Sequence, residues 1–600
     1  MTMNLRSTGS MEPGESTRAN EADAQASRGQ GTGAVAGTGP TRRSALKILT
    51  TLGVGTATFR RALAVQAEQA GASEVSVEMV KQAEWVAGLD LTDAEREATA
   101  RSLQRSLKSF RALRHVELGH DVPPALAFNP APALPPSLNV RRNQASPIES
   151  NAPKRPESDA ELAFLPVTEL SALVRARQVS SMELTRLYLD RLQRFDPLLK
   201  CVVNLTEETA LKQARRADNE LSAGRYRGPL HGIPWGAKDL IAYPGYPTTW
   251  GAPQFKDRVI NEKATVARHL EEAGAVLVAK LSMGALAQGD RWFGGMTRTP
   301  WDPRLGSSGS SAGSASAVAA GLVGFAIGSE TLGSIVSPSR ACGTSGLRPT
   351  YGRVSRHGCM SLSWSMDKLG PIARSVQDCA LVLDAIHGFD GLDPSAVDHP
   401  FTWPPRKPIQ GMRIGYLENP EIPLTDREEL RVLRELGAAL VPIVLPSDYP
   451  TSAITLMLRT EAASAFDELT RNHVTEGLNT WPNAFLQGQF TPAVEYLRAA
   501  RVRTLLIRSM AKLMDTVDLY VSSTEDLEIT NLTGHPCVVL PNGFETKDGR
   551  DLPGSLTFTG RLYDETNLLA VAHAYQDATG HHLKRPPLER YLAEEAERPA

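Results

Sequence analysis

A glycine- and serine-rich stretch at residues 305–349 holds the residue types that nucleophilic catalysis requires. Serine hydroxyls can act as a nucleophile or pass on a proton, and glycines let the backbone approach a substrate closely. Stretches of this composition are most often flexible linkers. Here the polar run continues into an alanine-rich segment and then an apolar run that ends at Ile327. This order predicts a small-residue helix that leads into a buried strand, so we expect the stretch to belong to a folded core.

One catalytic interpretation of this stretch is a nucleophile elbow. Residues 309–313 read Gly-Ser-Ser-Ala-Gly and satisfy the Gly-x-Ser-x-Gly pattern of α/β-hydrolases. That motif requires an apolar strand immediately upstream. Residues 298–304 are instead charged and interrupted by prolines, so the context argues against an elbow.

Four ordered motifs resemble those of the amidase signature family. In chain order they are GIPWGAKD at 232–239, GSSAGS at 309–314 with TLGSI at 331–335, GLRPTYGRVS at 346–355, and NLTGHP at 531–536 followed by PNGF at 541–544. The resemblance covers roughly residues 162–576. It implies the amidase signature fold, an α/β fold with a large mixed central sheet and helices on both faces.

The resemblance also assigns the members of a Ser–cis-Ser–Lys triad. Ser334 matches the nucleophile, Ser310 the cis-peptide serine that relays a proton, and Lys238 the base. The family's oxyanion hole is made of backbone N–H groups, which here match Thr331, Leu332, Gly333 and Ser334.

A lysine can act as a base only when it is neutral, although its ordinary pKa is about 10.4. Bringing that pKa near 7 requires desolvation or a neighbouring positive charge. The residues around Lys238 are largely apolar, so we expect burial to supply the shift. The alternative for a lysine followed by an aspartate is a solvated surface pair.

Three positions depart from the family pattern. Leu332 stands where the family usually has glycine, Glu330 where aspartate is commoner, and Val336 where an arginine is frequent. These differences leave the expected chemistry intact and bear on substrate preference. Six aromatic residues in the surrounding loops suggest an apolar substrate, with a core role as the alternative: Trp292, Phe293, Trp301, Trp481, Phe485 and Phe490.

The implied activity is hydrolysis of a small-molecule carboxylic amide to an acid and ammonia or an amine, through an acyl-enzyme. The alternatives are an amidase subunit of a glutamine-dependent amidotransferase and a non-catalytic binding protein on the same scaffold. No cofactor or metal is expected, since the histidines lack HExxH spacing and the five cysteines lack CxxC spacing. Buried thiols are the default for these cysteines, with one disulfide left open. A homodimer is also left open.

The N-terminal residues resemble a twin-arginine export signal. Residues 1–40 have few large apolar residues and are typical of disorder. Arg42 and Arg43 precede Lys47, an apolar stretch at 48–59 and a small-x-small sequence at 62–64. The pattern predicts an exported protein, periplasmic or secreted. A chance arginine pair before a weak amphipathic helix is the alternative.

These patterns divide the chain into three regions. Residues 1–64 form the n-region and signal peptide, 65–155 a helical pair and a proline-rich linker, and 156–590 the catalytic domain. The helical pair, at 73–116, weakly resembles the small companion subunit of tRNA-dependent amidotransferases; an ordinary amphipathic pair packed on the catalytic domain is the alternative. Thr92 and Asp93 are the candidate N-caps of its second helix.

The composition of the chain limits the kinds of partner that we expect it to bind. The 600 residues carry a net charge of −2, which gives no electrostatic footprint for nucleic acid. After removal of the signal, no apolar run is long enough to anchor the chain in a membrane. Strand-like runs at 276–279, 322–328, 413–416, 440–445 and 537–540 alternate with helical runs at 181–194, 265–273 and 376–386, which favours α/β.

Overall fold

The protein is described by a computed structural model that covers residues 74–118, 125–126, 154–405, 409–418, 427–523 and 525–597. The proposed signal peptide and most of the proline-rich linker lie outside these residues.

Within the described residues, fifteen strands follow one another along the chain. They are β1 (Val202–Leu205), β2 (Pro234–Lys238), β3 (Val276–Leu281), β4 (Arg291–Trp292), β5 (Gly295–Met296), β6 (Arg298–Thr299), β7 (Asp302–Gly306), β8 (Phe325–Glu330), β9 (Ser345–Arg348), β10 (Lys368–Ala373), β11 (Arg413–Leu417), β12 (Ala439–Ile443), β13 (Leu519–Ser522), β14 (Cys537–Lys547) and β15 (Arg550–Gly560).

The α-helices of the same residues alternate with these strands. They are α1 (Val77–Ala83), α2 (Asp93–His115), α3 (Asp159–Phe164), α4 (Val167–Arg175), α5 (Ser181–Leu199), α6 (Glu207–Ser222), α7 (Thr265–Glu272), α8 (Ala312–Ala319), α9 (Val336–Cys342), α10 (Val376–Ile386), α11 (Glu428–Glu435), α12 (Thr451–Ile454), α13 (Leu456–Ala465), α14 (Asp467–Arg471), α15 (Trp481–Gln489), α16 (Ala493–Thr516), α17 (Leu527–Thr533), α18 (Glu565–Thr579) and α19 (Leu588–Ala596).

Eleven of the described strands form one mixed sheet, in the order β1-β3-β2-β8-β10-β9-β14-β15-β13-β11-β12. β2 runs parallel to both β3 and β8, whereas β10 runs antiparallel to β8 and β9. The α/β class expected from the alternation of strand-like and helical runs is therefore confirmed. The stretch at 305–349 is part of this core, because α8 and β8 are buried along their whole lengths.

The ends of three central strands, β2, β8 and β10, lie at one edge of the sheet. β2 and β8 both finish there, at Lys238 and Glu330, because they are parallel neighbours. β10 begins at the same edge, where Lys368 pairs with Glu330. Polar residues that follow or precede these strands are thereby brought together, as is usual where parallel strands end.

Helices α1 and α2 pack on the helices at 451–516. Thr92 caps α2 through a reciprocal capping box with Glu95. Phe110 and Leu113 of α2 are buried in one apolar cluster with Ile454, Met457, Val502 and their neighbours. Val86 lies beyond the end of α1 and is 73% exposed. Glu74–Ala600 form one compact unit.

No helix in the described part of the chain is both long and apolar enough to cross a membrane.

Candidate active site

Lys238 ends β2 with its side chain fully buried and surrounded by serine oxygens. Its Nζ lies 2.8 Å from Ser310 Oγ, 3.0 Å from Ser311 Oγ and 2.8 Å from Ser329 Oγ. The Ser329 carbonyl oxygen lies 3.3 Å away. These contacts satisfy the amine, and no carboxylate among the described residues forms an ion pair with it.

Burial lowers the pKa of the Lys238 amine from an ordinary 10.5 to about 7, although the negative charges of Asp367 and Glu330 act in the opposite direction. The desolvation expected from the apolar surroundings of this lysine is therefore present. The surface-pair alternative is wrong, because both Lys238 and Asp239 are fully buried. Asp239 pairs instead with Lys280, at 2.8 Å.

Ser310 and Ser311 immediately precede α8 and lie next to the segment 331–335, which carries Ser334. The Gly309–Ser310 peptide bond is cis. Ser310 is buried, and the Ser311 amide donates to the Ser334 carbonyl oxygen at 3.1 Å, which joins the two segments through their backbones. Among the described residues, the Ser334 hydroxyl has no hydrogen-bond partner.

The turn at Thr331–Ser334 connects β8 to α9. In the described part of the chain, its four amides donate to no acceptor: Thr331, Leu332, Gly333 and Ser334. Gly333 has φ +87°, and a Cβ there would lie 3.0 Å from Ser337 Oγ and 3.1 Å from Leu527 Cδ2. A side chain at this position would therefore be strained, whereas the half-buried Leu332 keeps an ordinary conformation.

The Glu330 carboxylate binds the backbone that follows this turn. Its Oε2 accepts hydrogen bonds from the Ile335 and Val336 amides, at 2.8 and 2.9 Å. Its Oε1 accepts from Arg348 Nη1 at 2.7 Å and from Asn531 Nδ2 at 2.8 Å. Burial raises the pKa of the Glu330 carboxyl, but the Arg348 and Lys368 charges outweigh it and bring that pKa to about 2. The carboxylate is therefore ionised at neutral pH.

Three supporting residues did not emerge from the sequence alone. Ser311 and Ser329 contact Lys238, and Asp367 accepts a hydrogen bond from Thr331 Oγ1 at 2.6 Å. Ser311 could have been found from its position beside Ser310. The roles of Ser329 and Asp367 depend on strand pairing, which no local motif reveals.

Three of the six aromatic residues suggested for a substrate pocket belong to the core. Trp481 and Phe485 stack with ring centroids 5.2 Å apart and are buried, as is Trp301. Phe293 is 41% exposed. The five cysteines are free thiols, all of them buried except the half-buried Cys359.

A cavity of about 730 Å³ lies near this edge of the sheet, lined in part by Tyr351, Trp364, Leu392, Tyr496 and Leu562. Cys359 and Ser361 line this cavity. They also line a smaller void, whose other lining residues include Ser329 and Thr331. These two residues therefore lie between the cavity and the start of the turn.

Comparison with known families matches residues 183–530 to the model of the Amidase family. Among curated proteins, the chain is 34% identical over 489 residues to a subunit of the glutamyl-tRNA(Gln) amidotransferase of Moorella thermoacetica, covering 71% of this chain and 99% of the relative. The corresponding subunit from Chloroflexus aurantiacus is 36% identical over 488 residues, with the same coverage.

Among solved structures, the native peptide amidase of Stenotrophomonas maltophilia is similar, with a TM-score of 0.62 and 30% sequence identity. The match covers 70% of this chain and 98% of that enzyme. The family match includes Lys238, Ser310 and Ser334, and the matches to the curated relatives and to the solved structure each cover 70–71% of this chain.

Proposed function

The chain belongs to the amidase family and is an amide-hydrolysing enzyme, and from this we propose that Ser334, Ser310 and Lys238 act together on a carboxylic amide. Ser334 is the proposed nucleophile, Ser310 the proton relay and Lys238 the base. The observation that carries the proposal is the environment of Lys238, whose amine contacts three serine hydroxyls and, in the part of the chain that the structure describes, no carboxylate.

In the proposed reaction, neutral Lys238 takes the Ser310 hydroxyl proton while Ser310 takes that of Ser334. The Ser334 oxygen attacks the amide carbon, and unpaired amides of the turn bind the oxyanion. As the tetrahedral adduct collapses, the C–N bond breaks, Ser310 gives its proton to the leaving nitrogen, and Lys238 returns a proton to Ser310 and becomes neutral again. Water then attacks the acyl-enzyme by the same route, which releases the acid and regenerates Ser334.

A fluorophosphonate probe tests the nucleophile directly. We expect the wild type to be labelled at Ser334 and to hydrolyse members of a panel of aliphatic and aryl amides. Ser334→Ala should lose both properties, whereas Ser337→Ala, three residues along and half-buried, should keep them. Equal labelling of wild type and Ser334→Ala would refute the assignment, and a folded wild type that is inert in both assays would favour the non-catalytic alternative.

A second candidate is that the amide is the side chain of glutamine, as in an amidotransferase subunit. The curated relatives favour it, since eight glutamyl-tRNA(Gln) amidotransferase subunits match at 31–36% identity over 98–100% of their lengths. Ammonia release from glutamine, without and with the other subunits of a related amidotransferase, tests it. Stimulation by those subunits supports this function, whereas hydrolysis of peptide or aryl amides without glutamine turnover rejects it.

Export through the twin-arginine route remains part of the proposal, with 1–64 as the signal region, 65–155 as the helical pair and linker, and 156–590 as the catalytic domain. The test is a fusion of residues 1–72 to a reporter that is active only after export. Replacing Arg42 and Arg43 by lysine should retain the reporter in the cytoplasm. The same replacement at Arg60 and Arg61, beyond the apolar stretch, is the matched control. An export signal would argue against a role with aminoacyl-tRNA.

The proposed homodimer is a separate question, and the mass of the purified chain in solution tests it.

A further inference from the structure

The segment Ser361–Asp367, which we call the support segment, bonds directly to the first residue of the proposed oxyanion turn. Asp367 Oδ1 accepts from Thr331 Oγ1 at 2.6 Å. Asp367 Oδ2 accepts from the amides of Leu362 and Ser363, at 2.8 and 2.9 Å. One carboxylate therefore ties the turn to the start of the support segment.

A second carboxylate holds the support segment from the opposite side. Glu461 of α13 is 5% exposed, and its Oε2 accepts from Ser363 Oγ at 2.8 Å and from the Ser365 amide at 3.0 Å. Its Oε1 accepts from Ser365 Oγ at 2.6 Å and from the Tyr496 hydroxyl at 2.9 Å. Arg503 of α16 adds a bond to the Ser365 carbonyl oxygen, at 2.8 Å. The support segment is thus fixed to the helices at 451–516.

These contacts fasten the turn at both of its ends. Glu330 binds the amides just after Ser334, and Asp367 binds the side chain of Thr331 at the start. Hydrogen-bond donors that stabilise a developing oxyanion must be held within a few tenths of an ångström to be effective. A turn restrained at one end only would leave the amides of Thr331 and Leu332 free to shift.

We propose that Asp367 is a positioning residue for the oxyanion turn, acting through Thr331, and that Glu461 supports it through Ser363 and Ser365. The proposal rests on the function proposed for Ser334 and the turn. It adds two carboxylates, one of them on the distant helix α13, whose hydrogen bonds within the described residues go to no member of the triad. It also predicts that their loss reduces the rate of the chemical step while leaving substrate affinity nearly unchanged.

The test pairs each substitution with one that preserves the contact. Thr331→Val removes the hydroxyl but keeps the shape, and Asp367→Asn removes an acceptor at nearly constant volume. Both should lower kcat for the best amide about 10- to 100-fold, because a small misplacement of catalytic groups costs that much, with KM within about twofold. Thr331→Ser keeps the hydroxyl and should stay within about threefold of wild type. Glu461→Gln should have a weaker effect of the same kind.

Two control variants separate positioning from general loss of stability. Thr206→Val removes another buried hydroxyl bond, to the Leu277 carbonyl oxygen, and Asp378→Asn alters another buried carboxylate, which accepts from the Thr168 amide. Both should lower Tm without lowering kcat. The double variant Thr331→Val/Asp367→Asn should be no slower than the slower single variant, because the two act through one bond.

Full kcat in Asp367→Asn or Thr331→Val, in a wild type that is active and labelled at Ser334, overturns the positioning role alone. Loss of activity that Thr331→Ser shares, or that appears only as a raised KM, also overturns it. A wild type that is folded but neither labelled nor active overturns the proposed function, and the positioning role with it.

Discussion

Arg348 donates to the Glu330 carboxylate at 2.7 Å, and neither side chain has any exposed surface. Arg348 supplies a positive charge next to the Glu330 carboxylate. Val336, two residues after Ser334, contributes only its backbone amide to the same carboxylate. Arg348 also donates to the His535 carbonyl oxygen. The pair therefore links β8, β9 and the segment that enters β14.

The first prediction concerns Glu330→Gln. A neutral amide would leave the Arg348 guanidinium buried without its counter-charge, and breaking a buried pair in this way typically costs about 3–5 kcal/mol. We expect urea denaturation to show a loss of that order in the free energy of unfolding. Glu589→Gln, which breaks an exposed pair with Arg194, should change it by less than about 1 kcal/mol. Equal losses in the two variants would contradict the importance assigned to burial.

The second prediction is the pH dependence of catalysis. Because only neutral Lys238 can accept a proton and burial sets its pKa at about 7, kcat/KM should rise with pH and reach half its maximum near pH 7. The profile is measured with a neutral amide substrate. Lys238→Arg should be inactive throughout, since a guanidinium stays protonated. An unchanged rate between pH 5.5 and 8.5 would argue against Lys238 as the base.

The third prediction is the effect of Lys238 on stability. The unfolded chain keeps the lysine proton up to about pH 10.4, whereas the native state releases it near pH 7, so the wild type gains stability as pH rises through this window. Below pH 7 the buried charge costs up to about 5 kcal/mol, obtained from the same shift. Lys238→Met should therefore be more stable than wild type at pH 6, with the difference shrinking towards pH 10. Denaturation at pH 6, 8 and 10 measures this; a difference that grows with pH would contradict it.

The fourth prediction concerns the N-terminal helices. Leu113 of α2 is fully buried against the helices at 451–516, so Leu113→Ala should cost about 2–5 kcal/mol of unfolding free energy. Leu497→Ala, on α16 but 45% exposed, should cost much less. A chain that begins at residue 74 should fold, whereas one that begins at residue 119 should lose the cluster around Leu113 and aggregate. Similar stability of the two truncated chains would show that α1 and α2 are dispensable.

The sequence alone was sufficient to predict those helices and strands that have a strong local pattern of residues. Helix α10 coincides with the predicted 376–386, and the strand expected at 276–279 is β3, which extends to Leu281. β15 was missed, because Pro553 and Gly554 interrupt its pattern and it is held in place by pairing with β14. The prediction at 537–540 was short for the same reason, since β14 continues along a polar, half-exposed hairpin to Lys547.

The residues of the candidate site also fall into two groups, those that a local motif predicts and those that only the folded structure identifies. Lys238, Ser310 and Ser334 lie in motifs that can be recognised along the chain, and the structure places Lys238 beside Ser310. Asp367 and Glu461 lie in no such motif, and their relevance depends on contacts between residues 36 and 98 positions apart. Lys238 and Asp239 show most clearly what a local motif cannot predict, because these adjacent ionisable side chains enter separate buried networks.

The last two residues of β8 and the first residue of the turn follow one another directly and have three different partners. Ser329 contacts Lys238, Glu330 binds Arg348 and the amides after Ser334, and Thr331 binds Asp367. Alternate residues of a strand face opposite sides, so a slip of one position would exchange all three at once. An insertion or deletion of one residue within β8 would therefore disconnect the base, the support and the turn together, whatever residue was gained or lost.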